Sequence, residues 1–155
     1  KAVADEANLT LHELKAVADG VAIPVSDVPD DVFASKALGD GVAVIVTDGK
    51  VYAPADGKIS MIAETLHAYG LELLVHIGIN TVELGGEGFT PKVKEGDEVK
   101  AGQLLCEVDM ELMKKKGYLP HTPILLTNGD ECADVKLMPN KAAKAGETTV
   151  ITYRK

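Results

Sequence analysis

The sequence predicts an all-β fold, an antiparallel sandwich or barrel with a few short helical turns. Short runs rich in valine and isoleucine recur along the chain and are bounded by glycine, proline and aspartate. Turn dipeptides separate them at Asp40-Gly41, Asp48-Gly49, Asp56-Gly57, Glu95-Gly96 and Asn128-Gly129. Because such dipeptides close β-hairpins, short strands between them are typical of sandwiches and barrels.

Seven segments carry the strand signal, since aliphatic residues in them alternate with polar ones or form a short apolar run. They are GVAIPV from Gly20, GVAVIVTDGK from Gly41, VYAPADGKISMIAET from Val51, LELLVHIGI from Leu71, TPKVKEGDEVKAGQLLCEVD from Thr90, TPILLTNGD from Thr122 and ETTVITYRK from Glu147. Two short helices are expected, over 30–37 and 110–116. Residues 1–14 show no clear apolar face, so we expect a linker or tail there and one domain over 15–155.

Composition and charge exclude several function classes. The 155 residues suffice for one domain with a core, and the net charge of −8 argues against binding to nucleic acid or to an anionic membrane surface. An acidic surface instead favours a basic protein partner. No apolar run approaches a membrane span, and the first residues lack a signal-peptide segment, so we expect a cytoplasmic protein without direct membrane insertion.

A histidine within an apolar strand is the first candidate for chemistry. In the segment from Leu71 to Val82, the odd positions form an almost unbroken apolar face that should point into the core. His76 therefore lies on the other face, between Leu74 and Gly78. A glycine two residues along leaves room on that face for another group to approach the imidazole.

The preceding segment, KISMIAETLHA, places Thr65 and His67 two residues apart and so on one face of a predicted strand. If the two strands pair, a hydroxyl and two imidazoles share one pocket, with Leu74 and Val82 as an apolar rim. Histidine titrates near neutrality, so metal binding, general base catalysis and nucleophilic attack all remain open at this point. A shallow apolar rim favours docking of another protein over enclosure of a small molecule.

Four longer motifs carry a family resemblance. DDVFASKALGDGVAV, VYAPADGKI, ETLHAYG and ELLVHIGINTVELGGEGF resemble the glucose-type IIA domain of the bacterial phosphoenolpyruvate:sugar phosphotransferase system. The resemblance covers nearly all of the predicted domain. It implies an antiparallel β-sandwich that relays a phosphoryl group from the phosphohistidine of the carrier HPr to a IIB domain, which phosphorylates sugar entering through the membrane-bound IIC domain. No cofactor and no metal ion is implied, although zinc could occupy the histidine pair adventitiously.

The resemblance also assigns roles to single residues. His76 matches the phosphoacceptor, His67 the second histidine that supports the phosphoryl group, and Thr65 the hydroxyl that bonds within the pair. The docking surface for the protein partners is then expected at Asp40, Val42, Leu74, Gly78, Asn80 and Val82.

The sequence departs from the family pattern in two places. Asn80 stands where the family often has aspartate, which removes one charge from the docking rim. In addition, His67 and His76 are only nine residues apart, whereas the family has a longer hairpin between them. A tight turn near Tyr69-Gly70 would separate the two imidazoles by roughly 13 Å along the strand. We therefore expect either a broken pair or missing residues and a chain break near Gly70-Leu71.

Two other protein classes contain segments similar to those of this chain. VYAPADGKI with VKEGDEVKAGQLL is similar to lysostaphin-type zinc peptidases, but the four histidines of the chain include no His-x-His ligand pair. VKEGDEVKAGQLLCEVDMELMK is similar to biotinyl and lipoyl carriers, with Lys114 as the modified residue. That lysine belongs in an exposed hairpin between two strands, whereas here it falls in a predicted helix. Cys106 and Cys132 form no metal-type spacing, and two reduced core thiols are expected.

Overall fold

The computed structural model describes residues 9–71, 73–127 and 131–155, and within them the fold is mostly antiparallel β-sheet with two short helices, as predicted. The strands are β1 Leu11–Lys15, β2 Gly20–Pro24, β3 Asp40–Val46, β4 Lys50–Tyr52, β5 Gly57–Lys58, β6 Met61–Ile62, β7 Ala68–Gly70, β8 Leu74–His76, β9 Phe89–Pro91, β10 Glu98–Val99, β11 Leu104–Val108, β12 His121–Leu126, β13 Ala133–Leu137, β14 Lys141–Ala143 and β15 Thr149–Arg154. The helices are α1 Asp31–Ala34 and α2 Met110–Lys115. No helix in these ranges is long and apolar enough to cross a membrane.

A seven-stranded sheet organises the molecule, with strand order β14-β2-β3-β12-β8-β7-β6. Smaller sheets, β1-β15-β13, β4-β11-β9 and β10-β5, complete the fold. The register aligns Val42, Ile124 and Val75 across β3, β12 and β8, and all three side chains are fully buried in the main core. Burial of such aligned aliphatic side chains is the main force that holds the layers together.

The opposite face of this sheet carries a second, smaller apolar cluster. It contains Val25, Val28, Phe33, Ala43, Ile79 and Leu125, with Leu74 and Ile23 at its edge. The segment around α1 covers this face, and Asp30 starts the helix by accepting hydrogen bonds from the backbone N–H groups of Val32 and Phe33. The cap thereby fixes where Phe33 enters the cluster.

Both predicted helices are present with shorter bounds, but the predicted tail is too long. Residues 1–8 lie outside the described residues, whereas Leu11–Lys15 forms β1 and pairs with β15. Leu14 is buried in the main core, and His12 stacks on Tyr153 with ring centroids 5.0 Å apart. The domain boundary expected at residue 15 is therefore wrong, because the last residues of the supposed tail bury an apolar side chain.

The hairpin between the two histidines also differs from the expectation. Ala68 lies opposite His76, Tyr69 opposite Val75 and Gly70 opposite Leu74, so the chain is still in a paired strand at Tyr69-Gly70 and does not turn there. The N–H of Leu71 donates to the carbonyl of Leu73 at 2.9 Å. With this register the nine-residue spacing brings the two histidines together, so the expected separation of the imidazoles is wrong. The expectation of missing residues near Gly70-Leu71 stays a prediction.

Candidate functional site

The predicted alternation along the segment that carries His76 is confirmed. The odd positions Leu71, Leu73, Val75, Ile77, Ile79 and Thr81 are all buried. His76 is half-buried on the opposite face, where it reaches the small apolar cluster beneath α1. One edge of its ring is therefore packed in the protein while another remains open to an incoming group.

A backbone carbonyl fixes the orientation and the tautomer of His76. Its Nδ1 lies 3.0 Å from the carbonyl oxygen of Gly78. A carbonyl oxygen can only accept, so Nδ1 must carry the proton and donate it. In the neutral ring the lone pair then resides on Nε2, which makes Nε2 the nucleophilic or ligating atom.

Only glycine fits at the position that supplies this carbonyl. Gly78 has φ of 77°, and a Cβ there would lie 2.5 Å from Cγ2 of Thr81 and 2.8 Å from Cε of Met113. The hydroxyl of Thr81 donates to the carbonyl of Ile77 and ties down the same turn. The sequence-based role for Gly78 was wrong: neighbouring side chains fill the space, and the glycine serves to turn the backbone carbonyl toward His76.

His67 is buried beside His76, and it approaches from a turn. The carbonyl of His67 accepts from the N–H of Ile77 at 2.7 Å, which fixes the turn against β8. Oγ1 of Thr65 lies 2.7 Å from Nδ1 of His67. Thr65 and His67 do come together, but the predicted strand alternation is not the reason, because residues between β6 and β7 form a turn in which Leu66 has φ of 63°.

The two imidazoles form a compact pair. Their ring centroids are 4.7 Å apart with an interplanar angle of 80°, so one ring meets the edge of the other. Burial, followed by repulsion from His67, lowers the pKa of His76 to about 4. Burial also lowers the pKa of His67. Both rings are therefore neutral at pH 7, and the Nε2 lone pair of His76 is not lost to a proton.

Phe33 and Asp30 belong to the site, and sequence reasoning missed both. The Phe33 ring meets the His76 ring edge-on, with centroids 4.7 Å apart. The charge of Asp30 raises the pKa of His76, a small effect that opposes burial. The available signal was a capping aspartate followed by one of only two phenylalanines in the chain, although nothing local links that pair to a strand far along the sequence.

The expected docking residues divide into two groups. Leu74, Asn80 and Val82 have partly or largely exposed side chains, and Val82 is 52% exposed. Val42 and Gly78 are buried, so their side of the prediction is wrong because neither can present atoms to a partner.

Asp40 was expected at the docking rim from the family resemblance, and that role stays a prediction. It shares the face of Val42 and Val44, opposite to His76, and its carboxylate accepts from the N–H of Gly41 and pairs with Lys36 at 3.6 Å. The acidic residue whose charge acts on His76 is Asp30.

The alternatives gain no support from the geometry. Among the described residues there is no group of three or more His, Cys, Asp or Glu side chains that could hold a metal ion. Lys114 lies in the last turn of α2 and not in a hairpin, which removes the basis for a biotinyl or lipoyl carrier. Cys106 is buried in β11, whereas Cys132 is only partly buried and is not a core thiol.

Comparison with known proteins identifies the class. Residues 12–132 match the model of the phosphoenolpyruvate-dependent sugar phosphotransferase system EIIA 1 family, and the chain belongs to that family. It is a phosphocarrier component of sugar uptake, part of a phosphohistidine relay. The resemblance seen in the sequence is thereby confirmed.

Two relatives illustrate how closely the chain follows the family. It is 43% identical over 142 residues to the PTS system glucose-specific EIIA component of Halalkalibacterium halodurans, covering 88% of this chain and 82% of that protein. Its structure is similar to the glucose permease IIA from Mycoplasma capricolum, with a TM-score of 0.82 and 31% identity. That match covers 92% of this chain and 96% of the other.

Proposed function

We propose that Nε2 of His76 is the atom that accepts the phosphoryl group, taken from the phosphohistidine of HPr and passed to a IIB domain. The observation that carries this assignment is the hydrogen bond from Nδ1 of His76 to the carbonyl of Gly78. It leaves a single nitrogen with a free lone pair, on the ring edge away from the turn. The depressed pKa keeps that nitrogen unprotonated at pH 7.

The transfer step then needs no proton movement. The Nε2 lone pair attacks phosphorus while the P–N bond to the donor imidazole breaks, and the electron pair of that bond returns to the donor ring. The proton on Nδ1 of His76 stays in its bond to Gly78 throughout. As phosphorus bonds to Nε2, positive charge grows on the ring and the hydrogen bond to the carbonyl strengthens, which stabilises the phosphorylated state.

His67 supports the phosphoryl group in this proposal. When the hydroxyl of Thr65 donates to Nδ1 of His67, the proton of the neutral ring resides on Nε2. The edge-on contact between the rings directs one imidazole edge toward the other. An N–H at that edge can bond to a phosphoryl oxygen on His76, and positioning plus charge stabilisation is what phosphoryl transfer requires.

The partners would dock on the surface around His76. Leu74 and Val82 supply apolar area, and Asp30 with the overall charge of −8 suits a basic partner surface. HPr and a IIB domain are the partners that the family implies. Glucose is the sugar named for the relative from Halalkalibacterium halodurans, and we propose the same sugar here, with the cytoplasm as the site of action.

Intact-mass measurement after incubation with phosphoenolpyruvate, enzyme I and HPr tests the assignment. Wild type should gain one acid-labile phosphoryl group, and His76→Ala should gain none. His67→Ala should still accept the group but pass it to IIB more slowly. Phosphorylation of His76→Ala at the wild-type level would overturn the role of His76, and unchanged onward transfer in His67→Ala would overturn that of His67.

A further inference from the structure

A cavity lies beside the turn at Gly78, since two of its lining residues, Met113 and Leu119, approach that glycine. Its volume is about 430 Å³, within the range of small-molecule sites in proteins. Four large apolar or aromatic side chains line it, those of Met110, Met113, Tyr118 and Leu119. The other lining residues are Thr47, Lys114, Gly117 and Pro120.

The side chains that line the cavity favour a ligand with an aromatic ring. Methionine side chains adapt their shape and make favourable contacts between sulfur and ring edges, and Tyr118 adds an aromatic ring to the lining. Met113 is almost fully buried and belongs to the main core, so the inner wall is held in place. A flat apolar ring therefore fits this wall better than a polar sugar, whose hydroxyls would find few partners there.

The charge at the cavity selects an anion. Lys114 is the only lining residue that is charged at neutral pH. Its neighbour Lys116 is paired with Glu87, whereas within the described ranges Lys114 makes no ion pair. Although the protein as a whole is acidic, this ammonium group is thus available to a carboxylate that lies at the mouth of the cavity.

We propose that this cavity binds a small amphipathic carboxylate that carries an aromatic ring. The ring packs between Met110, Met113 and Tyr118, and the carboxylate faces Lys114. The bound molecule also touches Met113 and Leu119, which pack against the Gly78 turn beside His76. Met113 Cε and the carbonyl oxygen of Leu119 lie 2.8 and 3.1 Å from the position a Cβ on Gly78 would take, and that oxygen accepts from the N–H of Ile79 at 3.0 Å.

Titration of the isotope-labelled protein with 4-phenylbutanoate, followed by amide NMR, tests the proposal. The amide signals of Lys114 and Leu119 should shift saturably, with a Kd of about 1 mM for a ligand of this size. The neutral analogue 4-phenylbutan-1-ol should bind more weakly. Equal binding of acid and alcohol, absence of saturable shifts well above that concentration, or shifts centred elsewhere would overturn the proposal.

Matched pairs of variants test where the carboxylate and the aromatic ring of the ligand bind. Lys114→Gln should weaken binding about threefold, as expected for an exposed ion pair, and Lys115→Gln should not. Leu119→Asp places a like charge in the wall and should abolish binding, whereas Val135→Asp, at a similarly exposed position (38% against 39%), should not. If each pair of variants behaved alike, the assigned cavity would be wrong.

The signals of Gly78 and His76 report on the contact with the turn. They should move with the same Kd as those of Leu119, because Met113 lies between the ligand and Gly78. If the lining signals move and these two stay fixed, the inferred contact with the turn is overturned while the binding site stands. None of these readouts uses phosphoryl transfer, so their failure is distinguishable from failure of the phosphoacceptor assignment.

Discussion

Nδ1 of His76 and the carbonyl oxygen of Gly78 are 3.0 Å apart, two residues along the same chain. The contact exists because the backbone reverses at Gly78, where φ is 77°. A strand that continued straight would point this carbonyl to the side, away from the ring. The reactive nitrogen is therefore selected by a turn that only a glycine can make in this packing.

Gly78→Ala tests this relationship. The added Cβ meets Thr81, Met113 and Leu119 at 2.5 to 3.1 Å, and it occupies a left-handed conformation. We expect unfolding free energy to fall by about 3 kcal/mol or more, from backbone strain and overpacking together, with slower phosphoryl acceptance. Urea unfolding and single-turnover transfer from phospho-HPr measure the two effects.

Gly96→Ala provides the control for Gly78→Ala. Gly96 also has positive φ, 92°, but a Cβ there meets no atom within 4 Å. It should lose only about 1 kcal/mol and keep the wild-type transfer rate. Equal losses in both variants would show that packing around Gly78 has no special role.

Phe33→Ala tests the burial of His76. Phe33 is 5% exposed and packs edge-on against the imidazole, so its removal should admit water to the ring. The pKa of His76 should rise from about 4 toward its ordinary value of 6.5, because burial is the largest cause of its depression. The titration of the imidazole protons by NMR measures the shift.

Phe89→Ala is the matched control, since Phe89 is equally buried at 6% exposure but lies in β9. Both variants should lose about 3 kcal/mol of stability, as large-to-small core substitutions do. Only Phe33→Ala should move the pKa of His76. A shift of similar size in Phe89→Ala would mean that general loosening, and not the ring contact, controls the site.

The low pKa of His76 also predicts a pH dependence of stability. The unfolded chain binds a proton at this histidine below pH 6.5, whereas the folded protein does so only near pH 4. Stability must therefore fall as the pH drops from 6.5 toward 4, by at most about 3 kcal/mol from this residue.

Urea unfolding at pH 7 and pH 4.5 in wild type and in His76→Gln isolates that contribution, because the carboxylates titrate in both proteins. Wild type should lose more stability than the variant over this interval. If the two proteins lost the same amount, the pKa of His76 would not be depressed in the folded state.

Val82→Asp tests the docking surface. Val82 is 52% exposed, so the substitution should leave stability within about 0.5 kcal/mol. It should raise the KM for phospho-HPr about tenfold or more, because apolar contact is lost in a docked interface, with a smaller change in kcat. Leu11→Asp, at a site 48% exposed on β1, should leave KM unchanged. An unchanged KM in Val82→Asp would place the docking surface elsewhere.

The sequence was sufficient for what depends on local periodicity. Alternation placed His76 opposite the core-facing side chains, and the apolar residues at odd positions from Leu71 to Ile79 are buried as predicted. The helices expected over 30–37 and 110–116 contain α1 and α2, and each begins at a capping aspartate. These features follow from side-chain direction and hydrogen bonding over a few neighbouring residues.

The features that the sequence did not predict depend on turns and on contacts between distant parts of the chain. The register of the β7–β8 pair aligns Tyr69 with Val75, both buried in the core, and this register decides whether His67 reaches His76. The approach of Phe33 to His76 joins residues far apart in sequence. Asp40 came from the family resemblance, whereas the influence of Asp30 on His76 depends on how the α1 segment packs against the sheet, which the sequence alone does not show.

The identity of the phosphorylated nitrogen tests the proposed role of His76 most directly. NMR of the phosphoprotein, labelled with ¹⁵N in histidine and detected through coupling to ³¹P, distinguishes Nε2 from Nδ1 on each imidazole. We expect a single phosphohistidine at His76 with phosphorus on Nε2 and the proton retained on Nδ1. Phosphorus on Nδ1 of His76, or on His67, would contradict it.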